Sequence, residues 1–455
     1  MWQKMKNFYH LLVALASCVY YRFPGKKLKV IGVTGTDGKT TTVNLIFHIL
    51  KTAGEKVSVI STVNTIIGGK QLETGLHVTT PDPRIVQKLL FEAVKRGSQY
   101  LVLEVTSHAL DQNRVFGIPF KIGVLTNVTR EHLDYHKTYK NYVATKAKLL
   151  QRARWAVMNR DDESYTIISN FQPSSRAQVE GFPISNLVTY GIKNRAEIMA
   201  ADVFLSPTLS GFVVQCMDTS KRGGERTVKV KTKLLGEYNV YNCLAAIGCA
   251  KILGVNDEII QQALASFQPV EGRMEFIDTG QPFSVIIDFA HTPNALEKVL
   301  TTIRTLYPKP SALNPRFILV FGCAGLRDRE KRPVMGEIAA KYANFVVLTA
   351  EDPRTEDVDD IIRQIAEGCL RAGAEEWEVG RGKWEVGKGE KGKTKFFRIP
   401  DRQEAINFAI QKLAQKGDIV LITGKGPEKS MCFGKTEYPW SEKKAVLEAL
   451  KERNR

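Results

Sequence analysis

The chain has 455 residues, of which 43% are hydrophobic and 25% are charged. These proportions exclude a disordered or fibrous protein, and the length is enough for two or three domains. A formal charge of +17 attracts anions. Because no arginine-rich run interleaved with aromatic residues is present, we expect nucleotide and other phosphorylated substrates and no nucleic-acid partner. The seven cysteines include no CxxC pair, which argues against a structural zinc site or a disulfide framework.

The first predicted element is a helix over the apolar residues 8–21, ended by Pro24 and Gly25. This stretch is shorter than the ~20 residues that cross a bilayer. We therefore expect a packed or membrane-surface helix inside an N-terminal segment of residues 1–28. Peripheral contact with a membrane is expected through residues 8–21.

Short apolar runs then alternate with helical stretches. A strand at residues 28–33 leads into a glycine turn and a helix over about residues 38–53. Further strands are predicted at residues 57–60, 100–105, 122–125 and 155–158, a pattern typical of a parallel, doubly wound sheet. Residues 201–235 alternate valine with lysine, which predicts an antiparallel patch. We assign residues 29–270 to one α/β domain with a mostly parallel sheet.

A second α/β series follows a boundary near residues 268–272. Its strands are predicted at residues 284–287, 317–321, 345–348 and 419–422, with helices between them. This order is typical of a Rossmann-like α/β domain, which we assign to residues 271–455. A tandem near-copy, WEVGRGK at 377–383 and WEVGKGE at 384–390, is glycine-rich and charged, so we expect a solvated loop there.

The clearest motif is TGTDGKTTT at residues 34–42, between the first predicted strand and its helix. Glycines let backbone N–H groups surround a phosphate, and the helix N-terminus adds positive potential. Lys39 would neutralise the terminal phosphates, and Thr40 would offer its hydroxyl to Mg²⁺. Val33 stands where the usual GxxxxGK[ST] pattern has its first glycine. The nucleotide-binding residues predicted in this loop are Thr34, Gly35, Thr36, Asp37, Gly38, Lys39, Thr40 and Thr41.

This loop resembles that of the Mur ligases, which typically reads TGTNGKTT, with Asp37 in place of the asparagine. Further segments extend the resemblance over nearly the whole chain from residue 29. It implies a P-loop-type central domain and an ATP-dependent enzyme that activates a carboxylate as an acyl phosphate and couples it to an amino acid. The implied setting is peptidoglycan precursor synthesis by a cytoplasmic monomer. With the apolar helix, we also expect association with the inner membrane surface.

Two strand ends supply candidate metal ligands. Glu104 follows one strand in EVTSH, and His132 follows the next in TNVTREHLDYH. A carboxylate and an imidazole suit Mg²⁺ beside the ATP phosphates. Residues 142–146, YVATK, resemble the family segment whose lysine is carbamylated by CO₂, which turns a cation into an anion able to bridge metals. The resemblance implies as catalytic residues Lys39, Glu104, His132 and Lys146, and as metal ligands Thr40, Glu104, His132 and carbamylated Lys146.

The resemblance also implies where the other substrates bind. Positions that match those holding the acceptor, UDP-MurNAc-L-Ala-D-Glu, are Thr79, Thr80, Thr106, Gln112 and Arg114. Further ATP contacts are expected from Asn239, Asn242, Arg273 and Asp288. The incoming amino acid is expected to contact Arg327, Glu351, Asp352, Pro353, Arg354, Gly424 and Glu428.

The identity of the amino acid stays open between two candidates. Residues 351–354 read EDPR where the family carries DNPR, whose arginine pairs with the distal carboxylate of meso-diaminopimelate. Arg354 therefore favours diaminopimelate. Asp352, which replaces an asparagine, could instead favour the distal ammonium of lysine.

Three alternatives differ in acceptor or in class. Members of this type carry an N-terminal domain that binds the uridine, and only about thirty residues precede the glycine loop here, so we expect that domain to be missing. The acceptor could then be a lipid-linked muramoyl peptide. A ligase of the folylpolyglutamate type would use similar chemistry, but Arg327 and the EDPR segment speak against it. A P-loop NTPase acting as a regulatory or nucleic-acid-binding module would explain the charge but not Glu104, His132 and Lys146.

Overall fold

The computed structural model describes residues 2–72, 79–169, 186–216, 226–307, 315–378 and 393–453. The chain divides into two compact units, Met1–Gln268 and Pro269–Arg455. This division lies two residues before the predicted boundary between residues 270 and 271. The tandem repeat predicted as a loop lies outside the described residues from residue 379 onward.

The first unit is built from alternating strands and helices, as its sequence predicts. Its described helices are α1 (Trp2–Tyr20), α2 (Lys39–Thr52), α3 (Pro83–Lys95), α4 (Ser107–Asp111), α5 (Leu133–His136), α6 (Tyr139–Gln151), α7 (Glu163–Ser169), α8 (Glu237–Ile252) and α9 (Asp257–Ser266). Its described strands are β1 (Lys29–Thr34), β2 (Val57–Ile60), β3 (Thr65–Ile67), β4 (Lys70–Leu72), β5 (Tyr100–Glu104), β6 (Phe120–Leu125), β7 (Ala153–Asn159), β8 (Leu187–Gly191), β9 (Ile198–Leu205), β10 (Ser210–Cys216) and β11 (Arg226–Thr232).

In the described part of the first unit, these strands form one eleven-stranded sheet in the order β11-β10-β9-β8-β7-β6-β1-β5-β2-β3-β4. Every pairing from β9 through β8, β7, β6, β1 and β5 to β2 is parallel. The outer pairs β9–β10, β10–β11, β2–β3 and β3–β4 are antiparallel. The predicted mostly parallel sheet and the predicted antiparallel patch over residues 201–235 are therefore confirmed.

β1 lies in the middle of the parallel region, between β5 and β6. Val30, Ile31 and Val33 are completely buried, which explains the continuous apolar run of this strand, since helices cover both faces of such a sheet. The carboxyl ends of the three strands meet at Thr34, Glu104 and residue 125. Ligands of open α/β sheets bind at the carboxyl ends of the strands, so this edge positions the site described below.

α1 is attached to the first unit by one of its faces. Ala14 and Cys18 are completely buried, and the Cys18 thiol donates to the carbonyl oxygen of Phe116 at 3.4 Å. The ring of Tyr21, just after the helix, lies 5.6 Å from the ring of Phe91 on α3. Among the described residues, no helix combines the length and the apolarity that spanning a membrane requires.

The second unit is a smaller α/β assembly. Its described helices are α10 (Pro293–Leu306), α11 (Lys331–Tyr342), α12 (Val358–Arg371), α13 (Arg402–Asn407, followed by the π-helical Phe408–Leu413) and α14 (Glu442–Arg453). Its described strands are β12 (Glu275–Ile277), β13 (Ser284–Asp288), β14 (Phe317–Phe321), β15 (Phe345–Leu348), β16 (Glu375–Glu376), β17 (Lys395–Arg398), β18 (Ile419–Thr423), β19 (Ser430–Phe433) and β20 (Thr436–Pro439).

The main sheet of this unit has, in its described part, the order β12-β13-β18-β14-β15-β17-β16, and only the β12–β13 pair within it is antiparallel. β19 and β20 form a separate antiparallel hairpin. The predicted Rossmann-like α/β class is confirmed. β17 was not predicted, because only Phe396 and Phe397 are apolar in a short, charged stretch.

Candidate functional site

The glycine loop after β1 packs closely against two neighbours. Gly38 precedes α2 with a φ of 79°, a conformation that favours glycine. A Cβ atom at Gly38 would lie 2.2 Å from Oδ1 of Asn242, and one at Gly35 would lie 1.8 Å from Oγ1 of Thr126. Both positions therefore exclude a side chain, which explains the two glycines of the motif.

Residues that follow β6 hold this loop in place. The backbone N–H groups of Thr36 and Asp37 donate to the backbone and side-chain oxygens of Asn127, at 2.8 and 2.9 Å. The hydroxyl of Thr126 donates to the carbonyl oxygen of Asp37 at 2.7 Å. Thr126 and Asn127 were not predicted as site residues, although both open the segment that contains His132. Two polar residues directly after a buried strand were the available signal.

Lys39 and Thr34 suit the loop to an anion. The ammonium of Lys39 donates to the carbonyl oxygens of Gly35 and Thr36, at 3.0 and 2.8 Å, so its charge is held over the loop. Oγ1 of Thr34 is buried without a hydrogen-bond partner. A buried hydroxyl without a partner, in a loop that also carries an ammonium and leads into a helix N-terminus, fits a bound phosphate group.

Glu104 reaches the loop from the end of β5. Its buried carboxylate accepts a hydrogen bond from the hydroxyl of Thr40, which lies 3.0 and 3.1 Å from the two carboxylate oxygens. The N–H group of Thr62 donates to Oε2 at 3.0 Å. Within the described ranges, no three His, Cys, Asp or Glu side chains are grouped as a metal site. The hydroxyl and the carboxylate nevertheless fit Mg²⁺, which is commonly held by one or two carboxylates together with phosphate and water oxygens.

Lys146 reaches the same loop from α6. Its side chain is 1% exposed, and Nζ donates to the carbonyl oxygen of Gly35 at 2.6 Å. Nζ also lies 4.4 Å from the centre of the Tyr142 ring. Burial lowers the pKa of Lys146 well below its usual value, and the charge of Lys39 lowers it further. A lowered pKa favours the neutral amine, which is the form that reacts with CO₂, over the ammonium.

His132 directly precedes α5 with a φ of 54° and lies among aromatic rings. Its ring centre is 6.1 Å from that of Tyr142, whose hydroxyl is 3.3 Å from Oγ1 of Thr36 in the glycine loop. His132 therefore approaches the loop through Tyr142, whereas Glu104 and Lys146 hydrogen-bond to loop residues directly.

Four of the five predicted acceptor residues share one hydrogen-bond network, namely Thr80, Thr106, Gln112 and Arg114. The fifth, Thr79, is the residue before Thr80. Arg114 donates to Oε1 of Gln112 at 2.7 and 3.0 Å and to the carbonyl oxygen of Thr80 at 2.9 Å. The hydroxyl of Thr80 accepts from the N–H group of Thr106 at 3.0 Å and donates to the carbonyl oxygen of residue 104 at 3.0 Å. The network therefore joins the strand end that also carries the Glu104 carboxylate.

The two asparagines predicted to contact the nucleotide lie on one face of α8. Both are buried, and Asn242 donates to Oδ1 of Asn239 at 2.9 Å. Asn239 in turn donates to the carbonyl oxygen of Leu235 at 2.8 Å. Oδ1 of Asn242 accepts from the hydroxyl of Thr42 at 3.3 Å. Asn242 therefore faces the start of α2, beside Gly38.

In the second unit, the other two predicted ATP contacts lie near the carboxyl end of β13. The carboxylate of Asp288 accepts from the N–H groups of Met274 and Ala290, at 2.7 and 2.8 Å. The guanidinium carbon of Arg273 lies 4.5 Å from the centre of the Phe289 ring. Nε of Arg273 is buried without a hydrogen-bond partner, so this guanidinium retains a donor for an added group.

The EDPR segment is held against the loop that follows β14. The guanidinium of Arg354 donates to the carbonyl oxygen of Gly325 at 3.0 Å. The N–H group of Gly325 donates to the carbonyl oxygen of Asp352 at 2.8 Å. A Cβ atom at Gly325 would lie 1.9 Å from the carbonyl oxygen of Pro353. The same loop carries the exposed Arg327, so the structure brings these predicted amino-acid contacts together in one region.

A completely buried lysine neutralises Asp352. Nζ of Lys425 lies 2.8 Å from Oδ1 of Asp352 and 2.6 Å from Oε2 of Glu428. The N–H group of Cys432 also donates to Oδ1 of Asp352, at 3.0 Å. Lys425 was not predicted as a site residue, although a lysine between two glycines directly after a buried strand was a usable signal.

Glu351 is a buried carboxyl group beside Gly424. A Cβ atom at Gly424 would lie 3.4 Å from Cγ of Glu351, and Oε2 of Glu351 has no hydrogen-bond partner. Burial raises the pKa of Glu351 to about 7, although the charge of Lys331 opposes this change. A buried carboxyl group that lacks a partner for one oxygen suits an ammonium or another donor of a bound molecule.

Replacing Glu351 with glutamine is expected to stabilise the unliganded protein above neutral pH. An ordinary glutamate has a pKa of 4.5, so between pH 4.5 and about 7 the unfolded chain releases this proton while the folded chain keeps it. The stability of the wild type therefore falls as the pH rises through this window, and glutamine removes the loss. The free energy of unfolding in urea should be about 2–3 kcal/mol higher for the variant near pH 8 and unchanged near pH 4. An equal difference at both pH values would contradict the buried, uncompensated carboxyl group.

Two family models match the chain. The Mur ligase middle domain matches residues 33–250, and the Mur ligase glutamate ligase domain matches residues 272–426. The first match contains the glycine loop with Glu104 and Lys146, and the second contains the EDPR segment. The chain belongs to the Mur ligase family. The family predicted from the loop is therefore confirmed, and this Mur ligase is an enzyme of the ligase class.

Curated and solved relatives agree with this assignment. The UDP-N-acetylmuramoyl-L-alanyl-D-glutamate–2,6-diaminopimelate ligase of Syntrophomonas wolfei is 37% identical over 439 residues, which cover 96% of this chain and 81% of the relative. The UDP-N-acetylmuramyl-tripeptide synthetase of a Roseiflexus species is 39% identical over 458 residues, which cover 97% of this chain and 82% of the relative. A solved structure of a UDP-N-acetylmuramoyl-L-alanyl-D-glutamate–2,6-diaminopimelate ligase is 30% identical, with a TM-score of 0.58, and the match covers 94% of this chain and 79% of that one.

Proposed function

We propose that this Mur ligase adds meso-diaminopimelate to UDP-MurNAc-L-Ala-D-Glu at the expense of ATP. The terminal phosphoryl group of ATP passes to the γ-carboxylate of D-glutamate, which produces an acyl phosphate and ADP. The amine of the amino acid then attacks the acyl carbon, inorganic phosphate leaves, and the amine loses a proton as the amide bond forms. The activity named for the Syntrophomonas relative supports this proposal.

The observation that carries the proposal is the convergence of Lys39, Glu104 and Lys146 on the glycine loop. Each forms a hydrogen bond with a residue of that loop, and the last two side chains are 1% exposed. Catalysis of phosphoryl transfer depends mainly on positioning and on electrostatic stabilisation of the transferred group. Charges held in a buried site act more strongly than charges in water, so this edge of the sheet suits that reaction.

Magnesium would be held by Thr40 and Glu104, with His132 and carbamylated Lys146 as the further predicted ligands. Bound Mg²⁺ supplies positive charge beside the transferring phosphoryl group. We assign a CO₂-derived carbamate to Lys146, because its amine is buried against the glycine loop and burial lowers its pKa, which favours the form that reacts with CO₂. The carbamate replaces a buried amine with an anion whose oxygens can accept hydrogen bonds and bind a cation.

The charges around the EDPR segment favour diaminopimelate over lysine. Lys425 already neutralises Asp352, so this carboxylate is not the main partner for a distal ammonium. The guanidinium of Arg354 suits a distal carboxylate, which diaminopimelate has and lysine lacks. Glu351, whose Oε2 has no hydrogen-bond partner, remains as an acceptor for an ammonium group that both amino acids carry.

Replacing Arg354 with alanine is therefore expected to reduce the use of diaminopimelate selectively. We expect kcat/KM for diaminopimelate to fall about 100-fold and kcat/KM for lysine to change by less than about threefold, because only the first loses a charged hydrogen-bond partner. Steady-state phosphate release with each amino acid measures both values. Arg363→Ala, at an exposed arginine on α12, is the control and should leave both unchanged. An equal loss with both amino acids would remove the reason for choosing between them.

Phosphate production with a panel of substrates tests the function as a whole. The protein, ATP and Mg²⁺ are combined with UDP-linked or lipid-linked muramoyl dipeptide, or with a folate, and with a series of amino acids. We expect phosphate release to require the UDP-linked acceptor together with an amino acid, and to be fastest with diaminopimelate and slower with lysine. Dependence on the lipid-linked acceptor or the folate would indicate one of the alternative ligases. DNA-stimulated hydrolysis without an acceptor would indicate a regulatory P-loop NTPase.

We also propose that the enzyme is a cytoplasmic monomer. It contacts the inner membrane surface peripherally through residues 8–21. The requirement for ATP supports the location, and the apolar α1 supports the contact. Sedimentation equilibrium at micromolar concentration tests the monomer, and a dimer mass would contradict it.

A further inference from the structure

α1 has two apolar faces on opposite sides of the helix. Its inner face, which includes Ala14 and Cys18, is buried against the first unit. On the other side lie five apolar side chains that are between 44% and 62% exposed and that are three or four residues apart, namely Met5, Phe8, Leu12, Leu15 and Val19. At 3.6 residues per turn this spacing places them in one row. We call this row the outer stripe.

The attachment of α1 to the first unit does not use the outer stripe. The inner face supplies the contacts, including the Cys18 thiol and the amide of Asn7, which donates to Oδ2 of Asp111 at 3.0 Å. A contiguous exposed apolar row on a folded protein marks an interaction surface more often than scattered apolar residues do. The outer stripe is therefore a surface that a partner would cover.

The sequence around the outer stripe is cationic throughout. Residues 1–36 contain six lysine and arginine residues and no aspartate or glutamate. Lys6, Arg22, Lys26 and Lys27 are exposed. An apolar helix face flanked by cations is the pattern of a helix that lies in the interface of an anionic membrane. α1 is also not apolar enough to cross a bilayer, which agrees with an interfacial position.

A second copy of the chain is the competing occupant. The alternation of three and four residues would also suit the seam of a coiled coil. Two copies, however, would each bring six cations and no acid from residues 1–36, whichever direction the helices ran. Like charges then face each other, whereas lipid phosphates would neutralise them. Charge complementarity therefore favours the membrane.

We propose that the outer stripe inserts into the headgroup region of an anionic lipid bilayer, while the flanking lysine and arginine side chains contact lipid phosphates. The stripe supplies the apolar contact and the cations select negatively charged lipid.

Hydrogen bonds connect the inner face of α1 with the acceptor network. Asp111, which Asn7 contacts, also accepts from the hydroxyl of Tyr135 at 2.8 Å. Gln112 of the acceptor network approaches that hydroxyl at 3.5 Å. The bilayer would therefore lie close to the edge of the first unit that binds the acceptor. This consequence rests on the proposed acceptor binding, and the lipid binding specifies the membrane contact proposed above for residues 8–21.

Sedimentation with vesicles tests the lipid binding. The full chain, without nucleotide or acceptor, is mixed with vesicles of phosphatidylcholine alone or with added phosphatidylglycerol. We expect binding to the anionic vesicles and at least about tenfold weaker binding by Leu12→Glu/Leu15→Glu, because both substitutions put charge into the apolar contact. Leu370→Glu on α12, at a leucine of equal exposure, is the matched control and should bind like the wild type. Lys26→Glu/Lys27→Glu should weaken binding to anionic vesicles by about tenfold or more.

Several results would overturn the proposal. Wild-type protein that stays in the supernatant with anionic vesicles would do so, as would the Leu12→Glu/Leu15→Glu variant binding as well as the wild type. Light scattering identifies the competing occupant: a wild-type dimer that this variant converts to a monomer would assign the stripe to a second copy. Thermal unfolding of the variant should match the wild type, since both substituted side chains are on the exposed face. Because no ligase substrate is present, these outcomes test the membrane contact and do not depend on the proposed ligase reaction.

Discussion

Replacing Lys39 with alanine is expected to lower ATP turnover by about 10³-fold or more. The ammonium is held over the glycine loop by the carbonyl oxygens of Gly35 and Thr36. It is thus preorganised for phosphate, and its removal would take away positive charge where negative charge accumulates during transfer. Phosphate release with all substrates present measures kcat, and nucleotide titration measures the accompanying loss of ATP affinity.

The control for this variant is Lys51→Ala, which removes an exposed lysine from the same helix α2. It should retain the activity of the wild type. Thermal unfolding separates loss of chemistry from loss of fold, because Lys39→Ala also removes the donor to two loop carbonyl oxygens. ATP turnover by Lys39→Ala at the rate of the wild type, with the fold intact, would refute the assignment of the loop.

Replacing Lys146 with alanine is expected to reduce kcat by about 10²–10³-fold. If the proposed carbamate is present, a small carboxylate such as acetate or formate should restore part of this activity, since it can occupy the space of the lost side chain and supply the missing oxygens. The space is enclosed, because Lys146 is 1% exposed and lies against Gly35 and the Tyr142 ring. Rescue is measured as the increase in phosphate release with added carboxylate.

Two further measurements decide the role of Lys146. Intact-mass measurement should reveal one added CO₂ on the active wild type and none on Lys146→Ala. The ¹³C NMR spectrum of protein exchanged with ¹³C-labelled bicarbonate should show the same difference. Lys140→Ala, at an exposed lysine on the same helix α6, should keep both full activity and the added CO₂. Fully active wild type with a bare lysine would refute the carbamate while leaving the glycine loop assignment intact.

The glycine loop could be predicted from the sequence because its determinants are local. A buried strand, two glycines, a lysine and a helix N-terminus follow one another within about fifteen residues. Glu104 could be found for a similar reason, since it ends a buried parallel strand and such ends share one edge of the sheet. The strands at Phe317–Phe321 and Phe345–Leu348 have their predicted bounds, because continuous apolar runs mark strands buried on both faces.

Elements at the margins of the sheets were less predictable. β3, β4 and β16 are three residues or shorter, and β17 depends on only two apolar residues. Such strands form because a neighbouring edge offers hydrogen bonds, so their propensity alone is weak. The roles of Thr126 and Asn127 were missed likewise, because their partners are backbone groups of a loop about ninety residues earlier.

The sequence by itself determined the family and the α/β order of both series, and it supplied the residues that we propose carry phosphoryl transfer. Only the tertiary structure decided three properties of those residues: the depressed pKa of Lys146, the neutralisation of Asp352 by Lys425, and the exposure of the outer stripe on α1. The physical reason is common to all three. Desolvation, charge pairing and exposure depend on which distant segments pack around a side chain, and that packing is not encoded in any local pattern.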